Sequence, residues 1–368
     1  MQKKQISLID VGSSKITAIV GERGINKTFI IKARKECSYE GFADGSFFDV
    51  ESVKRIILSL AEYIKSSTSE KNQTIFVGVP GEFTSVVVKD SQISFQKKKK
   101  ITDEDVDALY DAAFMLSSAK HTLINRSAIA FELDDYRRLS DPIGESSAIL
   151  KGKLSFVLCS NYFIEVIKPS LKALEFNNIE FISVPLAEAM YLVTPDERDR
   201  VAIIVDIGYI SSTLSIIQGD GVIYQKSFGY GGGYVTASIT ESLEIEFDQA
   251  ESLKRKVNIC REDGGEYDIV QAENGAYYSC EAIRRIINDS LDVLCEEISN
   301  AIEDSGYNIP DYVPLSITGG GVTFIRGAKE KISNRLGMTV KVVSPNVPLM
   351  DKPTESSVLS LLNLVLED

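Results

Sequence analysis

One pattern occurs twice in the chain and limits the folds that it can adopt. An apolar strand ends in an aspartate, one apolar residue, a glycine and a hydroxyl-rich turn, and a second apolar strand follows. The copies are LIDVGSSKITAIVGE at 8–22 and AIIVDIGYISSTLSIIQGDGVIYQ at 202–225. Neither turn has room for a helix, so each copy predicts a β-hairpin. Repetition at this distance predicts two similar domains that present acidic hairpins to a shared cleft.

The first turn carries groups that suit a phosphate. A P-loop and a dinucleotide fingerprint are excluded, because both need a glycine loop that leads into a helix. A tight turn can still bind an anion through successive backbone N–H groups, and Asp10 beside it suits a hydrated Mg²⁺. Taken alone, the turn is explained equally well as an ordinary polar hairpin. The candidate phosphate ligands are Gly12, Ser13, Ser14 and Lys15.

Bulk composition excludes several classes of protein. The chain has 368 residues, enough for two domains, with 44% hydrophobic and 25% charged residues. Its net charge of -13 argues against nucleic acid as a partner, because phosphate backbones are bound by basic surfaces. We find no signal peptide and no apolar run long enough to span a membrane. A single histidine and five scattered cysteines argue against a His-rich metal site, a zinc site or a disulfide framework.

Residues from about 84 to 160 are predicted to form an insertion in the first domain. SVVVKDSQISF at 85–95 suggests a pair of strands, and Thr102 with Asp105 predicts a capped helix start. The four lysines Lys97 to Lys100 could meet an acidic partner or lipid headgroups, but a short solvated loop is the better interpretation. By its position, we expect the insertion to serve contacts and not chemistry.

Two further elements follow the second hairpin. Glu251 and Lys254 lie three apart on a predicted helix and could reach a ribose or base, although a surface ion pair would explain them as well. Later, a strand runs into Gly319 to Gly321, where backbone can approach a flat ligand such as adenine. Two acidic hairpins followed by these elements, in this order, favour a nucleotide cleft.

The order of these elements resembles the actin, sugar-kinase and heat-shock-chaperone ATPase superfamily. Within it, the chain resembles the bacterial cell-division FtsA family over nearly all of its length. The resemblance rests on LIDVGSSKITAIVGE, ITDEDVDALYDAA, DPIG with LKGKLSFVL, PLAEAMYL, VDIG, AESLK and ITGGG. It implies an α/β, actin-like (ribonuclease H-like) fold with two domains, a nucleotide cleft and an FtsA-type inserted subdomain. The resemblance implies these subdomains: 1A in 1–83 and 163–200, the inserted subdomain 1C in 84–162, 2A in 201–229, 2B in 230–310, and the second part of 2A with the return to 1A in 311–368.

The resemblance also implies a function and a set of ligands. It implies a cytoplasmic protein at the inner face of the membrane at the division site, which binds ATP and Mg²⁺ and forms actin-like filaments with itself. FtsZ would bind through subdomain 2B, and the membrane would be reached indirectly or through a C-terminal helix that is missing. Phosphate would be held by Gly12, Ser13, Ser14 and Lys15 and by Gly208 and Ser211. Asp10 and Asp206 would lie near Mg²⁺ or its waters, with Asp206 the candidate catalytic group; Glu251 and Lys254 would contact ribose or base, and Gly319, Gly320 and Gly321 would frame adenine.

Three departures from the family pattern affect the expected activity. Tyr209 and Ile210 replace two glycines of the second phosphate loop, and Val184 stands where an acidic or amide residue often precedes the proline. Glu188 is the nearest carboxylate, but we expect helix geometry to direct it elsewhere. These changes predict weak ATPase activity at most. Val358 to Leu366 reads as a buried last helix, so either the chain is truncated or it reaches the membrane through another protein.

Three classes of function remain open from the sequence. The first is a filament-forming scaffold that binds ATP and turns it over slowly. The second is a homologue of the pilus-assembly actin-like ATPases that binds a peptide of a membrane protein, although the segment from ITDEDV to DPIG is not expected there. The third is an efficient small-molecule kinase, which would need a carboxylate base in the cleft, and the sequence shows no clear candidate beside either hairpin.

Overall fold

The computed structural model describes residues 5–24, 28–68, 74–115, 118–261 and 268–367. The first part of the chain forms a sheet backed by a helix. Asp49 caps this helix by accepting a hydrogen bond from the Ser52 amide at 3.0 Å. The elements are β1 (Gln5–Val11), β2 (Lys15–Arg23), β3 (Phe29–Ser38), β4 (Phe42–Ala43), β5 (Ser46–Phe47), α1 (Val50–Ser67) and β6 (Ile75–Val79).

A second sheet is built from residues 84–160. Its strands have the order β7-β10-β8-β9, and α2 begins at a capping box made by Thr102 and Asp105. The expected strand pair at 85–95 is wrong, because one strand of 17 residues runs through it and includes all four lysines, Lys97 to Lys100. The elements are β7 (Thr84–Lys100), α2 (Asp103–Ala113), β8 (His121–Leu133), β9 (Arg138–Leu139) and β10 (Ser146–Ser160).

The remaining chain completes the first sheet and builds a third. A short 3₁₀ turn at Pro353–Glu355 precedes the last helix. In chain order the next elements are α3 (Asn161–Ala173), β11 (Ile179–Ser183), α4 (Val184–Leu192), α5 (Pro195–Arg198), β12 (Ala202–Ile207), β13 (Ser212–Gln218), β14 (Gly221–Phe228), α6 (Gly232–Leu243), α7 (Phe247–Lys256), β15 (Ile269–Gln271), β16 (Tyr277–Ser279), α8 (Cys280–Asp304), β17 (Leu315–Thr318), α9 (Ala328–Leu336), β18 (Val340–Val342) and α10 (Ser356–Glu367).

The first and third sheets share one topology. Their strand orders are β3-β2-β1-β6-β11 and β14-β13-β12-β17-β18, each an antiparallel meander extended by two parallel strands. The register matches as well, because Asp10 lies opposite Thr17 and Asp206 lies opposite Thr213. The duplicated sequence pattern is therefore a duplicated hairpin at the same place in two sheets.

The cores explain how the two halves are joined. Helix α8 buries one apolar stripe in the core of the third sheet, as its period predicts. Helix α10 returns to the first sheet and buries Leu359, Leu361 and Leu362 against Leu8 and Ile19, so the expected buried last helix is confirmed. Among the described residues, no helix combines the length and apolar character that a membrane crossing requires.

Candidate functional site

A cavity of about 260 Å³ lies between the first and third sheets. Both hairpin turns line it, together with the turn after β17, the start of α4 and the segment that leads into α10. Of the predicted site residues, the structure brings to this cavity Asp10, Gly12, Ser13, Ser14, Lys15, Asp206, Gly208, Ser211, Gly319 and Gly320. Three predicted residues are not part of its lining, namely Glu251, Lys254 and Gly321.

The first turn is anchored within its own domain. The Gly12 amide donates to the Lys15 carbonyl at 2.9 Å, and the Tyr39 hydroxyl donates to the Gly12 carbonyl at 2.7 Å. The Tyr39 amide donates in turn to the Ser14 carbonyl at 3.1 Å. Lys15 forms an ion pair with Glu36 at 2.9 Å, and both side chains are 38% exposed. Because this pair is well solvated, it holds Lys15 only weakly in that position.

The second turn contacts the first across the cleft. The Gly208 amide donates to the Ser211 carbonyl at 3.0 Å, which closes the turn. The Ser13 hydroxyl oxygen then accepts hydrogen bonds from the amides of Tyr209 and Ile210, each at 3.2 Å. These two amides point at a polar oxygen from the opposite domain, which is how amides of a turn hold an anion.

Two aspartates at equivalent positions lie at the base of the cleft. Burial raises the pKa of Asp10 to about 6, and a hydrogen bond of 2.7 Å from the Ser357 hydroxyl offsets part of this rise. Burial, and then the nearby charge of Asp10, raise the pKa of Asp206 to about 7. Both carboxylates would gain from positive charge brought into the cleft.

A third carboxylate corrects one expectation from the sequence. Glu188 was expected to point elsewhere, but it lines the cavity and is 2% exposed. Burial raises its pKa well above the ordinary value, and the charges of Asp206 and Asp10 raise it further. Helical spacing from Val184, which also lines the cavity, is the sequence feature that could have predicted this placement.

The glycine turn after β17 closes another side of the cavity. Gly319 has φ +85°, and a Cβ atom there would overlap the Asp206 carboxylate. Gly321 lies behind it and donates from its amide to the Ile207 carbonyl at 2.8 Å. Phe324 continues the turn and lines the cavity. The glycines therefore let the chain pass close beside the second hairpin and leave space for a flat group.

The predicted pair on α7 is an internal ion pair. Lys254 is 3% exposed, lies 2.6 Å from Glu251 and donates to the Gly232 carbonyl at 2.9 Å. The cavity is lined instead by Arg255, which donates to Glu251 at 2.8 Å and lies 5.4 Å from the centre of the Phe324 ring. Glu251 thus orients Arg255, the side chain that faces the cavity. The spacing in the sequence does not show that Arg255, and not Lys254, lines the cavity.

The groups around the cavity fit a nucleotide with a hydrated divalent cation. Turn amides, Ser13 and Lys15 suit phosphates, whereas Asp10 and Asp206 suit the waters of a cation. In the described ranges, no group of three His, Cys, Asp or Glu side chains is arranged to hold a metal directly.

Comparison with known proteins gives the chain its relatives. A family model described as "Cell division protein FtsA" matches residues 203–360. The chain is similar in sequence to FtsA. The FtsA of Neisseria meningitidis is 18% identical over 351 residues, which cover 94% of this chain and 84% of the relative. The FtsA of Streptococcus pneumoniae is 21% identical over 361 residues, with 96% and 78% covered. For Escherichia coli FtsA the match is 21% over 253 residues, 68% of this chain and 60% of the relative.

Solved structures show the fold. A structure described as the "PilM-PilN type IV pilus biogenesis complex" superposes with a TM-score of 0.63 at 16% identity, and both chains are covered completely. MreB5 of Spiroplasma citri bound to AMPPNP gives 0.56 at 12% identity, with 100% of this chain and 98% of the other covered. The fold is therefore actin-like, and both the predicted fold class and the predicted resemblance to FtsA are confirmed.

Proposed function

We propose that the protein binds ATP in the cleft and works as an actin-like scaffold in cell division. The observation that carries this proposal is the meeting of two equivalent acidic hairpins at one cavity, each with an aspartate at the same register of its sheet. The AMPPNP in the MreB5 structure supports a nucleotide as the ligand of this fold. Similarity to FtsA supports the cellular role.

The hairpins are assigned the phosphates and the cation. Asp10 and Asp206 hold waters of Mg²⁺, which supplies the positive charge that phosphates and carboxylates need in order to lie close together. The Ser13 hydroxyl must release the amides of Tyr209 and Ile210 before these can face a phosphate oxygen. The phosphate ligands are Gly12, Ser13, Ser14, Lys15, Gly208 and Ser211.

The nucleobase of ATP is assigned to the side of the cavity formed by the glycine turn after β17. Gly319 and Gly320 leave space for a flat ring, and Arg255 over Phe324 offers a stacking surface. Gly321 supports this turn from behind. Glu251 and Lys254 act on the ribose or base through the position of Arg255 and not by direct contact.

The scaffold role involves surfaces away from the cleft. The chain forms filaments with itself, and the inserted subdomain, residues 84–162, bridges neighbouring subunits. FtsZ binds to the region 230–310, in which 262–267 lie outside the described residues. The protein lies in the cytoplasm at the inner face of the membrane at the division site, which it reaches indirectly or through a further helix. Hydrolysis is slow, because Tyr209 and Ile210 replace residues that would let the second loop close on phosphate.

Sedimentation of the purified protein tests this function. The protein is centrifuged with Mg-ATP, with Mg-ADP and without nucleotide, and the pellets are inspected by electron microscopy. Calorimetry measures ATP binding separately. Filaments that depend on ATP are expected. A protein that binds no ATP would refute the cleft assignment, and a protein that binds ATP without assembling, alone or on lipid vesicles, would refute the scaffold.

A second candidate is supported by the TM-score of 0.63 with the PilM–PilN complex. In that case the protein is a pilus-assembly type of actin-like ATPase, which binds ATP but captures a peptide of a membrane protein and forms no filaments. Binding to an FtsZ peptide in a pull-down from purified components favours the first function. Absence of both filaments and FtsZ binding favours the second.

A further inference from the structure

The side chain of Tyr209 has no ligand in the function proposed above, although this residue belongs to the second hairpin turn. It lines the cavity together with Gly208 and Ser211, to which phosphate is assigned. Tyr209 is half-buried, and its hydroxyl has no hydrogen-bond partner among the described residues. A tyrosine hydroxyl that packing removes from water usually finds a partner. This turn therefore carries a hydrogen-bonding group that the protein itself leaves unused.

Two apolar contacts hold the Tyr209 ring in place. The ring lies against the first turn of α6, where a Cβ atom at Gly233 would come within 3.1 Å of it. The ring of Phe247, at the start of α7, meets it edge-on with the centroids 6.3 Å apart. Because both contacts are made by the ring, they do not need the hydroxyl. The position of the hydroxyl is thus set by packing, as a preformed binding group requires.

Helix α7 places charged groups near this phenol. Burial, and then the charge of Glu251, raise the pKa of Tyr209 to about 12. Asp248 adds to this rise and Arg255 opposes it. The phenol is therefore protonated at neutral pH and can both donate and accept a hydrogen bond. Arg255 also lines the cavity beside Phe324, so Tyr209 neighbours both the phosphate turn and the wall assigned to the nucleobase.

The part of a nucleotide that joins the phosphates to the nucleobase is the ribose. Its hydroxyl groups donate and accept hydrogen bonds, as the phenol of Tyr209 does. We propose that Tyr209 is a specificity-determining residue, which hydrogen-bonds a ribose hydroxyl and makes the cleft prefer ribonucleotides to deoxyribonucleotides. A site that hydrogen-bonds a substrate hydroxyl discriminates against the analogue that lacks it. The inference rests on the proposed binding of ATP in this cleft.

Calorimetry with the magnesium complexes of ATP, 2′-deoxy-ATP and 3′-deoxy-ATP tests the proposal. The unaltered protein should bind ATP about 3–10-fold more tightly than the analogue that lacks the contacted hydroxyl, because one hydrogen bond is lost. Tyr209→Phe keeps the ring and its packing but removes the phenol hydroxyl. In this variant the preference for ATP over that analogue should disappear, while the affinity for the analogue itself stays unchanged.

Tyr230→Phe is the matched control, because the Tyr230 hydroxyl donates to the Ser290 carbonyl at 2.9 Å and Tyr230 is not part of the cavity lining. Its preference for ATP should equal that of the unaltered protein. Equal affinities of the unaltered protein for all three nucleotides would overturn the inference. An equal loss of affinity for all three in Tyr209→Phe would do the same, since the hydroxyl would then contact another part of the nucleotide. Both results leave the proposed function intact, whereas absence of ATP binding would refute both proposals.

Discussion

The two acidic hairpins occupy the same place in two sheets of the same strand order, yet their polar groups are satisfied differently. In the first, Asp10 accepts a hydrogen bond from Ser357 and Lys15 is paired with Glu36. In the second, no side-chain hydrogen bond to Asp206 is found in the part of the chain that the structure describes, and the turn amides donate to Ser13 of the first hairpin. Both turns are supported by backbone hydrogen bonds within their own halves, since the amides of Gly232 and Gly233 donate to the carbonyls of Gly208 and Tyr209 in the second. The difference lies in the aspartates, because Asp10 has a hydroxyl donor and Asp206 has none among the described residues.

The largest expected difference between the hairpins concerns their glycines. A Cβ atom at Gly208 would lie 2.6 Å from the Ser211 carbonyl oxygen, whereas one at Gly12 would lie 3.1 Å from that of Lys15. Gly208→Ala should lower the free energy of unfolding by about 2–3 kcal/mol, and Gly12→Ala by less than about 1 kcal/mol. Chemical denaturation measures both. Equal losses would mean that the two turns are equally tight.

The lysine of the first hairpin has no counterpart in the second. Lys15→Ala should weaken ATP binding by a factor of about 10–100, because a hydrogen bond between charged groups is lost, and should leave the fold intact. Calorimetry measures the affinity. The control is Lys32→Ala on the same sheet. Lys32 forms an ion pair with Glu22 at 3.1 Å and is not part of the cavity lining. Equal affinity of both variants would remove Lys15 from the phosphate site.

The two aspartates, Asp10 and Asp206, should lower the free energy of unfolding by different amounts. Both have raised pKa values, so their ionised forms destabilise the folded state above that pKa. At pH 8, with chelator and without nucleotide, Asp206→Asn should add about 1–2 kcal/mol to the free energy of unfolding, and Asp10→Asn less, because Ser357 already relieves Asp10. Near pH 4 both gains should shrink, because both carboxyls are protonated in the folded protein. A larger gain for Asp10→Asn would reverse the comparison.

The smallest effect concerns the support that α10 gives to the first hairpin. Ser357→Ala removes the hydrogen bond to Asp10 and should cost about 1 kcal/mol. Ser360→Ala on the same helix is the control, because the buried Ser360 hydroxyl has no partner among the described residues and its loss should be neutral. Thermal unfolding of the two variants compares them directly. A greater loss in the control would show that helix packing, and not Asp10, is affected.

The sequence predicted the elements that depend on local pattern. Both hairpins follow from apolar strands around a turn, and α8 follows from its stripe of apolar residues. The lysines at 97–100 were placed in a loop because charge favours solvent, but pairing of β7 with β10 as far as Lys100 extends the strand through them. An edge strand tolerates such charges, because its side chains remain exposed.

Directions of side chains were harder to predict than elements. The sequence shows that Val184 and Glu188 share a helix face, but which face meets the cleft is decided by the packing of α4 against α10 in the core of the first sheet. For the same reason, the spacing of Glu251 and Lys254 predicts an ion pair but does not show which side chain of α7 faces the cavity. Arg255 was missed because its position depends on the contact between α7 and the turn that carries Phe324.

Strand β6 passes so close beneath α10 that position 78 has no room for a side chain. A Cβ atom at Gly78 would overlap Leu361 and come within 3.2 Å of the Asp10 carboxylate, whose residue is its neighbour in the sheet. A larger residue at position 78 would therefore push against the last helix and against the Asp10 carboxylate at the same time. The floor of the cleft is thus shaped by the packing of the interior, and a change in this packing would reach the site without touching any residue of its rim.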